Sequence, residues 1–162
     1  MLLDKGDVKR ILVCREVCSG CRACEVACVS HHEGVFGTAT ARIHVSKVES
    51  EGIAHPHVCR QCRRAPCITA CPTSALYRDE RTQAVLVREA DCIGCSACVD
   101  ACPFGMAALH PSTGVALICD LCGGNPACVA RCATGAIRYT RTGAQAEAKR
   151  KQAVVSAERT LE

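Results

Sequence analysis

Tryptophan is absent from this 162-residue chain, and Phe36, Phe104, Tyr77 and Tyr139 are its only Phe and Tyr residues. The large rings that dominate ordinary cores are missing, so something other than aromatic packing must hold the fold. No stretch approaches the roughly 18 consecutive apolar residues that a membrane-spanning helix needs. The run MLLDKGDVKR carries charges at Asp4, Lys5, Asp7, Lys9 and Arg10, with neither an apolar h-region nor twin arginines, which gives the expectation of a cytoplasmic chain. Neither G-x-G-x-x-G nor a Walker A run occurs, so nucleotide binding has no support. No Ser/His/Asp constellation can be located, and no Cys-x-x-Cys is followed by His, which removes hydrolytic chemistry and covalent haem. His31, His32, His44, His55, His57 and His110 show no HExxH or paired ligand spacing and read as solvated loop or strand residues. Of these, His57 is the one placed to donate a hydrogen bond to a thiolate.

Cysteine is abundant instead: of seventeen, sixteen fall into four quartets. Cys18, Cys21, Cys24 and Cys28 are spaced x2, x2, x3. Cys92, Cys95, Cys98 and Cys102 repeat that spacing, and Pro103 completes a bacterial 4Fe-4S ligand run. Cys59, Cys62, Cys67 and Cys71 with Pro72, and Cys119, Cys122, Cys128 and Cys132, have two or three residues inserted before the third cysteine. With this spacing three sulfurs converge on three corners of one cube, and the fourth, a helical turn beyond, points to another. Gly20, Gly94 and Gly123 suit the tight turns this requires. Four quartets imply four 4Fe-4S clusters.

Competing readings of the cysteines are weaker. A secreted disulfide scaffold conflicts with the charged amino terminus. Zinc sites use two separated CxxC knuckles, whereas three cysteines at x2, x2 crowd a single small ion. Cys14, Cys18 and Cys21 spell the C-x3-C-x2-C of radical S-adenosylmethionine enzymes, but that reading strands Cys24 and Cys28 and needs a barrel too large for this chain. Cys14 ends an apolar strand and reads as a buried small hydrophobe.

The formal charge of +4 counts every cysteine as neutral. A cube with four thiolates carries about −2 when oxidised, so four of them subtract roughly 8 and leave about −4. The basic balance is therefore compensation, and without aromatic interleaving it does not indicate nucleic acid. Fifteen of the twenty cations are Arg. Arg22, Arg60, Arg63, Arg64 and Arg131 lie within the quartets, where a permanent charge offsets cluster charge or pairs with acidic groups of a partner. Much of the 49% hydrophobic fraction is Ala, Val and Cys, and cluster binding is expected to supply folding free energy.

A repeat of strand, cysteine loop, short helix and strand can be traced four times. Strands are expected at residues 11–13, 43–45, 75–78, 84–87, 107–110, 115–118 and 137–139, with a hairpin turning at Glu51-Gly52. Residues 31–42 read as a polar linker, and 141–162 as a helical or flexible tail. The sequence permits neighbouring quartets to exchange fourth ligands, or the outer two to enclose the inner two. The nested arrangement is favoured, because only the inner quartets end in Cys-Pro. It groups Cys18, Cys21 and Cys24 with Cys132; Cys119, Cys122 and Cys128 with Cys28; Cys59, Cys62 and Cys67 with Cys102; and Cys92, Cys95 and Cys98 with Cys71. The expected fold class is α+β, with tandem bacterial dicluster ferredoxin-like lobes: an outer lobe from 1–58 and 111–140, and an inner lobe, 59–110, inserted into it.

The runs HVCRQCRRAPCITACPTSAL, DCIGCSACVDACPFGMAAL and ICDLCGGNPACVARCATGAI resemble motifs of the four-cluster ferredoxin subunits of multisubunit oxidoreductases. These serve molybdenum and tungsten bis-pterin enzymes and CO dehydrogenase and hydrogenase complexes, and compact members accompany tungsten aldehyde oxidoreductases. The resemblance spans roughly residues 8–140 and implies nested ligand exchange and a non-catalytic subunit. It implies single-electron relay between a catalytic subunit, a tungsten or molybdenum pterin enzyme such as aldehyde oxidoreductase, and another redox subunit or carrier. Neither nucleic acid nor membrane insertion is expected, and self-assembly stays open. A diffusible polyferredoxin, or a binding module merely stapled by clusters, is the alternative.

Overall fold

Short apolar strands of two to six residues alternate with cysteine loops. The computed structural model describes residues 8–141 and places four two-stranded antiparallel sheets around the loops. In chain order the elements are β1 (Lys9–Val13), α1 (Ala23–Glu33), β2 (Ile43–Val48), β3 (Ile53–Val58), α2 (Pro66–Thr69), β4 (Leu76–Arg78), β5 (Val85–Val87), α3 (Ala97–Asp100), β6 (Ala108–Leu109), β7 (Ala116–Leu117), α4 (Ala127–Ala130) and β8 (Ile137–Arg141). β2 pairs with β3, β4 with β5 and β6 with β7, while β1 pairs with β8 in the register Val13 to Ile137, so the first and last strands meet. The result is a small mixed helix and strand fold.

The strands sit where their apolar patterning placed them, and the turn expected at Glu51-Gly52 is present, with Gly52 at φ +64°. Helix lengths follow from what comes after the fourth cysteine. Pro72 and Pro103 redirect the chain after α2 and α3. After α4 there is no proline at that point, and Gly135 (φ +67°) turns the backbone, its N–H donating to Cys132 O at 3.3 Å. In the first quartet nothing stops the helix until Gly34, at φ +69°, donates to Ser30 O. α1 therefore runs eleven residues and takes in His31, His32 and Glu33, which the sequence had suggested were linker. The tail beyond Arg141 lies outside the described residues.

Small side chains let the strands close on the loops. A Cβ at Gly20 would stand 2.8 Å from Lys47 Cε and 3.0 Å from the Ala54 methyl, so the β2–β3 hairpin covers the first loop. A Cβ at Gly94 would stand 2.9 Å from the Gly114 carbonyl oxygen, which puts the β6–β7 turn over the third. Arg81, in the β4–β5 turn, donates to Gly123 O of the fourth loop at 2.9 Å, and Arg10 of β1 donates to Arg60 O of the second at 2.9 Å. Two apolar groups result. Ile11, Val29, Ile43, Val45, Leu121 and Ile137 pack with Cys24, Cys28, Cys119 and Cys128, and Leu76, Val85, Ala107 and Ile118 pack with Cys98. Cys59 borders both.

Gly94→Ala meets a backbone oxygen that cannot move aside and a φ of +67°, and is expected to cost about 2–4 kcal/mol. Gly34→Ala shares the positive φ with nothing within 4 Å and is expected to cost only about 1–2 kcal/mol. Denaturant unfolding of the two iron-loaded variants checks the order, and equal losses would contradict the close packing.

Candidate metal centre

Each quartet opens in a loop and carries its third cysteine onto a short helix: Cys24 in α1, Cys67 in α2, Cys98 in α3 and Cys128 in α4. The residue before the second cysteine has positive φ in all four, at Gly20 (+68°), Gln61 (+49°), Gly94 (+67°) and Leu121 (+58°). Successive residues of opposite hand aim their amide N–H groups into one concavity, the nest geometry found at phosphate and iron-sulfur sites. Glycine supplies this freely at two of the positions, whereas Gln61 and Leu121 hold it at a cost of about 1–2 kcal/mol each. Aligning the four quartets on their second cysteine is the signal that would have singled them out.

Cys28, Cys119, Cys122 and Cys128 line one small cavity, partly open to solvent and walled by Ile11, Ile43, Val58, Leu121 and Pro126. Three come from the fourth quartet and one from the first, brought there by the packing of α1 on α4. A second group forms around Cys59. Burial pushes its thiol up to about 11 against a Gln61 N–H that lowers it, and Cys67, Cys62 and Cys102 raise it further. Cys67 is raised likewise by burial, Cys102 and Cys62. Cys98, buried in α3, is raised by burial and then by Cys92, Cys67 and Cys95. Cys24 is pushed up to about 11 by burial, with Glu25 and Cys21 adding to it.

The fourth cysteines fall into two matched pairs. Cys28 and Cys102 each accept a backbone N–H at 3.3 Å, from Arg42 and Met106. The Sγ atoms of Cys71 and Cys132 lie 3.6 and 3.7 Å from the hydroxyls of Thr73 and Thr134, and their hydrogen-bond partners are local. Burial alone would raise both thiols, but N–H donors such as Leu76 and Ile137, with the threonines, bring them below the ordinary value. Cys14 stands apart, its N–H donating to Ala136 O at 2.7 Å. Only Cys21 and Cys95 are exposed.

So many sulfurs cannot ionise side by side without a cation. Burial and the neighbouring thiolates push Cys128 up to about 12, and burial raises Cys119 well above its ordinary value. A soft, multiply charged group among them restores the thiolates and releases protons. Inward N–H groups and an all-sulfur donor set fit a 4Fe-4S cube. His31 and His32 also approach within 4.8 Å of Cys122 Sγ, but His32 is engaged elsewhere.

Asp120 joins the first quartet to the fourth. It accepts from Cys122 N–H at 2.9 Å and lies 3.0 Å from Arg42 Nη1 and 3.1 Å from His32 Nε2. His32 Nδ1 lies 2.8 Å from Cys28 O. Both ring nitrogens face acceptors, so the imidazolium suits the site, and the Asp120 and Cys28 contacts push His32 up to about 10. Burial alone would raise Asp120, but His32, the Cys122 N–H and Arg42 hold it well below the carboxylate range. Thus His32 is no solvated histidine. His57, placed by sequence beside a thiolate, instead lies 2.8 Å from Ser46 Oγ. Sequence gave no sign of Glu25 either, which is 1% exposed and accepts Val45 N–H at 2.7 Å, tying α1 to β2. Gln61, also 1% exposed, bridges two quartets: its amide donates to Cys119 O and accepts from Val85 N–H at 2.9 Å.

Residues 50–142 match the 4Fe-4S dicluster domain family. The chain belongs to this family. Over 122 residues, 75% of this chain and 70% of the relative, it is 50% identical to the aliphatic sulfonate oxidoreductase, polyferredoxin-like subunit, of Pyrococcus furiosus. Over 137 residues, 76% of this chain and 71% of the relative, it is 39% identical to the thiosulfate reductase electron transfer subunit PhsB of Salmonella typhi. A chain in the active site complex BamBC of benzoyl coenzyme A reductase with benzoyl-CoA is 25% identical, with a TM-score of 0.51 over 96% of this chain and 98% of that one. The chain is a ferredoxin-like iron-sulfur electron-transfer subunit of oxidoreductase complexes. Among the described residues no helix is long and apolar enough to cross a membrane.

Asp120→Ala leaves Arg42 and His32 without their shared acceptor and is expected to cost the dicluster chain about 1–3 kcal/mol. Chemical denaturation of the iron-loaded protein reads this directly, and an unchanged midpoint would show that the network does not hold α1 to the fourth loop.

Proposed function

We propose that the chain relays single electrons through four 4Fe-4S clusters between a catalytic oxidoreductase subunit and a further redox partner, with no bond chemistry of its own. The observation that carries this reading is the cavity in which Cys28 stands among Cys119, Cys122 and Cys128. Exchange of fourth ligands holds two cubes side by side. On this reading Cys28 completes the Cys119, Cys122 and Cys128 set, Cys132 the Cys18, Cys21 and Cys24 set, Cys102 the Cys59, Cys62 and Cys67 set, and Cys71 the Cys92, Cys95 and Cys98 set. Residues 59–110 are then an inner ferredoxin-like lobe inserted between 1–58 and 111–140. Packing of α1 on α4 and of α2 on α3 supports this nesting.

When bound, each cluster takes up and returns one electron. The chain's own residues fix where that happens and at what potential. Arg42 and Met106 N–H groups steady negative charge on Cys28 and Cys102, and apolar walls keep water from Cys24, Cys98, Cys119 and Cys128. Cys24 acts on Cys128, Cys67 on Cys98, and Cys59 on Cys119. Neighbouring sites therefore run from first to fourth to second to third quartet, with Gln61 spanning the middle step.

The catalytic partner in this reading is a tungsten or molybdenum pterin enzyme such as an aldehyde oxidoreductase. The motif resemblance supports it, as do the relatives named as subunits of oxidoreductases and reductases. Thiolate ligation of the clusters suits reducing surroundings, which supports a cytoplasmic relay in this reading. Native mass spectrometry of tagged protein captured anaerobically from its own cells tests the whole reading. The expected result is excess mass of about sixteen irons and sixteen sulfides on a chain bound to a large metallopterin subunit. Bound zinc, or the chain alone, would contradict it.

A further inference from the structure

Five arginines surround the second cysteine loop. Arg60, Arg63 and Arg64 lie within it and are exposed. Arg10 donates to the carbonyls of Arg60 and Gln61, and Arg78 donates to Cys62 O at 2.6 Å and approaches Arg63 O at 3.4 Å. Among the described residues none of the five has a carboxylate at ion-pair distance. The first and third loops differ: Arg22 pairs with Glu25 at 3.0 Å in the first, and Arg88 with Asp91 at 3.1 Å before the third. At the fourth, Arg42 pairs with Asp120 at 3.0 Å, while Arg131 within the quartet, and Arg81 and Arg138 beside it, have no carboxylate at ion-pair distance among the described residues and are not gathered around an exposed aromatic ring. A cluster held by the second loop would offset part of its charge, and the exposed Arg60, Arg63 and Arg64 remain open to acidic groups from outside the chain.

An apolar centre accompanies them. Phe104, 44% exposed, lies under the Arg60 guanidinium, 4.5 Å from the ring centroid. An aromatic ring stacked with arginine inside a basic rim is the composition of protein interfaces. Phe104 follows Cys102 by two residues and Arg60 lies between Cys59 and Cys62, so this face overlies the ligand set Cys59, Cys62, Cys67 and Cys102.

We infer that the Arg60, Arg63, Arg64 and Phe104 face docks a carboxylate-rich surface of a redox protein that exchanges electrons with the relay. This rests on the relay reading above. Arg10 and Arg78 are turned onto backbone carbonyls and shape the loop, which leaves an open basic rim for spread carboxylates rather than a closed pocket for a single anion. Long-range attraction of this kind raises association rates and weakens with salt. In each encounter one electron leaves the partner's reduced centre and one cluster of this chain gains it, with no proton or bond exchanged.

A dithionite-reduced, desalted two-cluster bacterial ferredoxin, itself an acidic protein, serves as the probe, and stopped-flow absorbance reads its oxidation by the iron-loaded chain. The expected rate for wild type falls at least about 10-fold from low to high salt. Arg63→Gln/Arg64→Gln is expected to lose most of that salt-sensitive rate. Arg138→Gln/Arg141→Gln, which removes the same charge from exposed positions on β8 outside the quartets, should keep it. Arg60→Gln alone should lose part. Iron content and midpoint potentials are measured on every variant. A salt-insensitive rate in wild type, equal losses in both double variants, or a shift of potential with no change in the salt-sensitive rate would overturn the docking inference while leaving the relay intact. Failure of the loaded wild-type chain to accept electrons from dithionite itself would overturn the relay reading and this inference with it.

Discussion

Mutual repulsion among crowded, buried thiolates is the constraint on which the rest of this structure depends. A chain with no tryptophan and a core of aliphatic side chains interleaved with cysteines has no large aromatic packing to hold it. Its interior is built from groups that stay protonated when alone, as the raised thiols of Cys24, Cys59, Cys119 and Cys128 show. Positive charge with sulfur affinity reverses that balance, so cofactor assembly and folding become one event. Around those sulfurs the backbone is bent into left-handed turns even where the side chain is glutamine or leucine.

From the same constraint comes the arrangement of the loops. In the proposed ligand exchange each helix that carries a third cysteine leads on to a fourth that serves a different cluster, an arrangement that pairs the helices. α1 lies on α4 and α2 on α3. The pairs are joined by one buried amide, Gln61, whose two ends reach Cys119 O and Val85 N–H. The polar clamp of His32, Asp120 and Arg42 holds the first pair together. Among the described residues no ion pair links the second pair, where Pro72 and Pro103 redirect the chain after the helices. One pair is thus fastened by charge and the other by chain geometry.

Much of this was legible in the spacing of residues. Cysteine intervals and flanking prolines are covalent facts of the chain, so the four loops, their short helices and the intervening hairpins could be located to within a few residues. The turns at Gly20, Gly94 and Gly123 were legible for the same reason, since only glycine takes positive φ without cost. The positive φ of Gln61 and Leu121 runs against local preference and shows in the sequence only when the quartets are aligned on their second cysteine. The contacts of His32 were not legible. Its role depends on Asp120, 88 positions away, and on a helix that continues past Cys28 because no breaker follows. His57 read as a solvated residue, with a hydrogen bond to a thiolate as the minor alternative for its nearness in sequence to Cys59, and it lies instead against Ser46.

Iron-edge anomalous diffraction from crystals of the anaerobically loaded chain would test the central claim most directly. The account predicts four iron sites, with Cys28 bonded to the one held by Cys119, Cys122 and Cys128, and Cys102 to the one held by Cys59, Cys62 and Cys67. Anomalous signal at the zinc edge, or Cys28 bonded to the site of Cys18, Cys21 and Cys24, would contradict it.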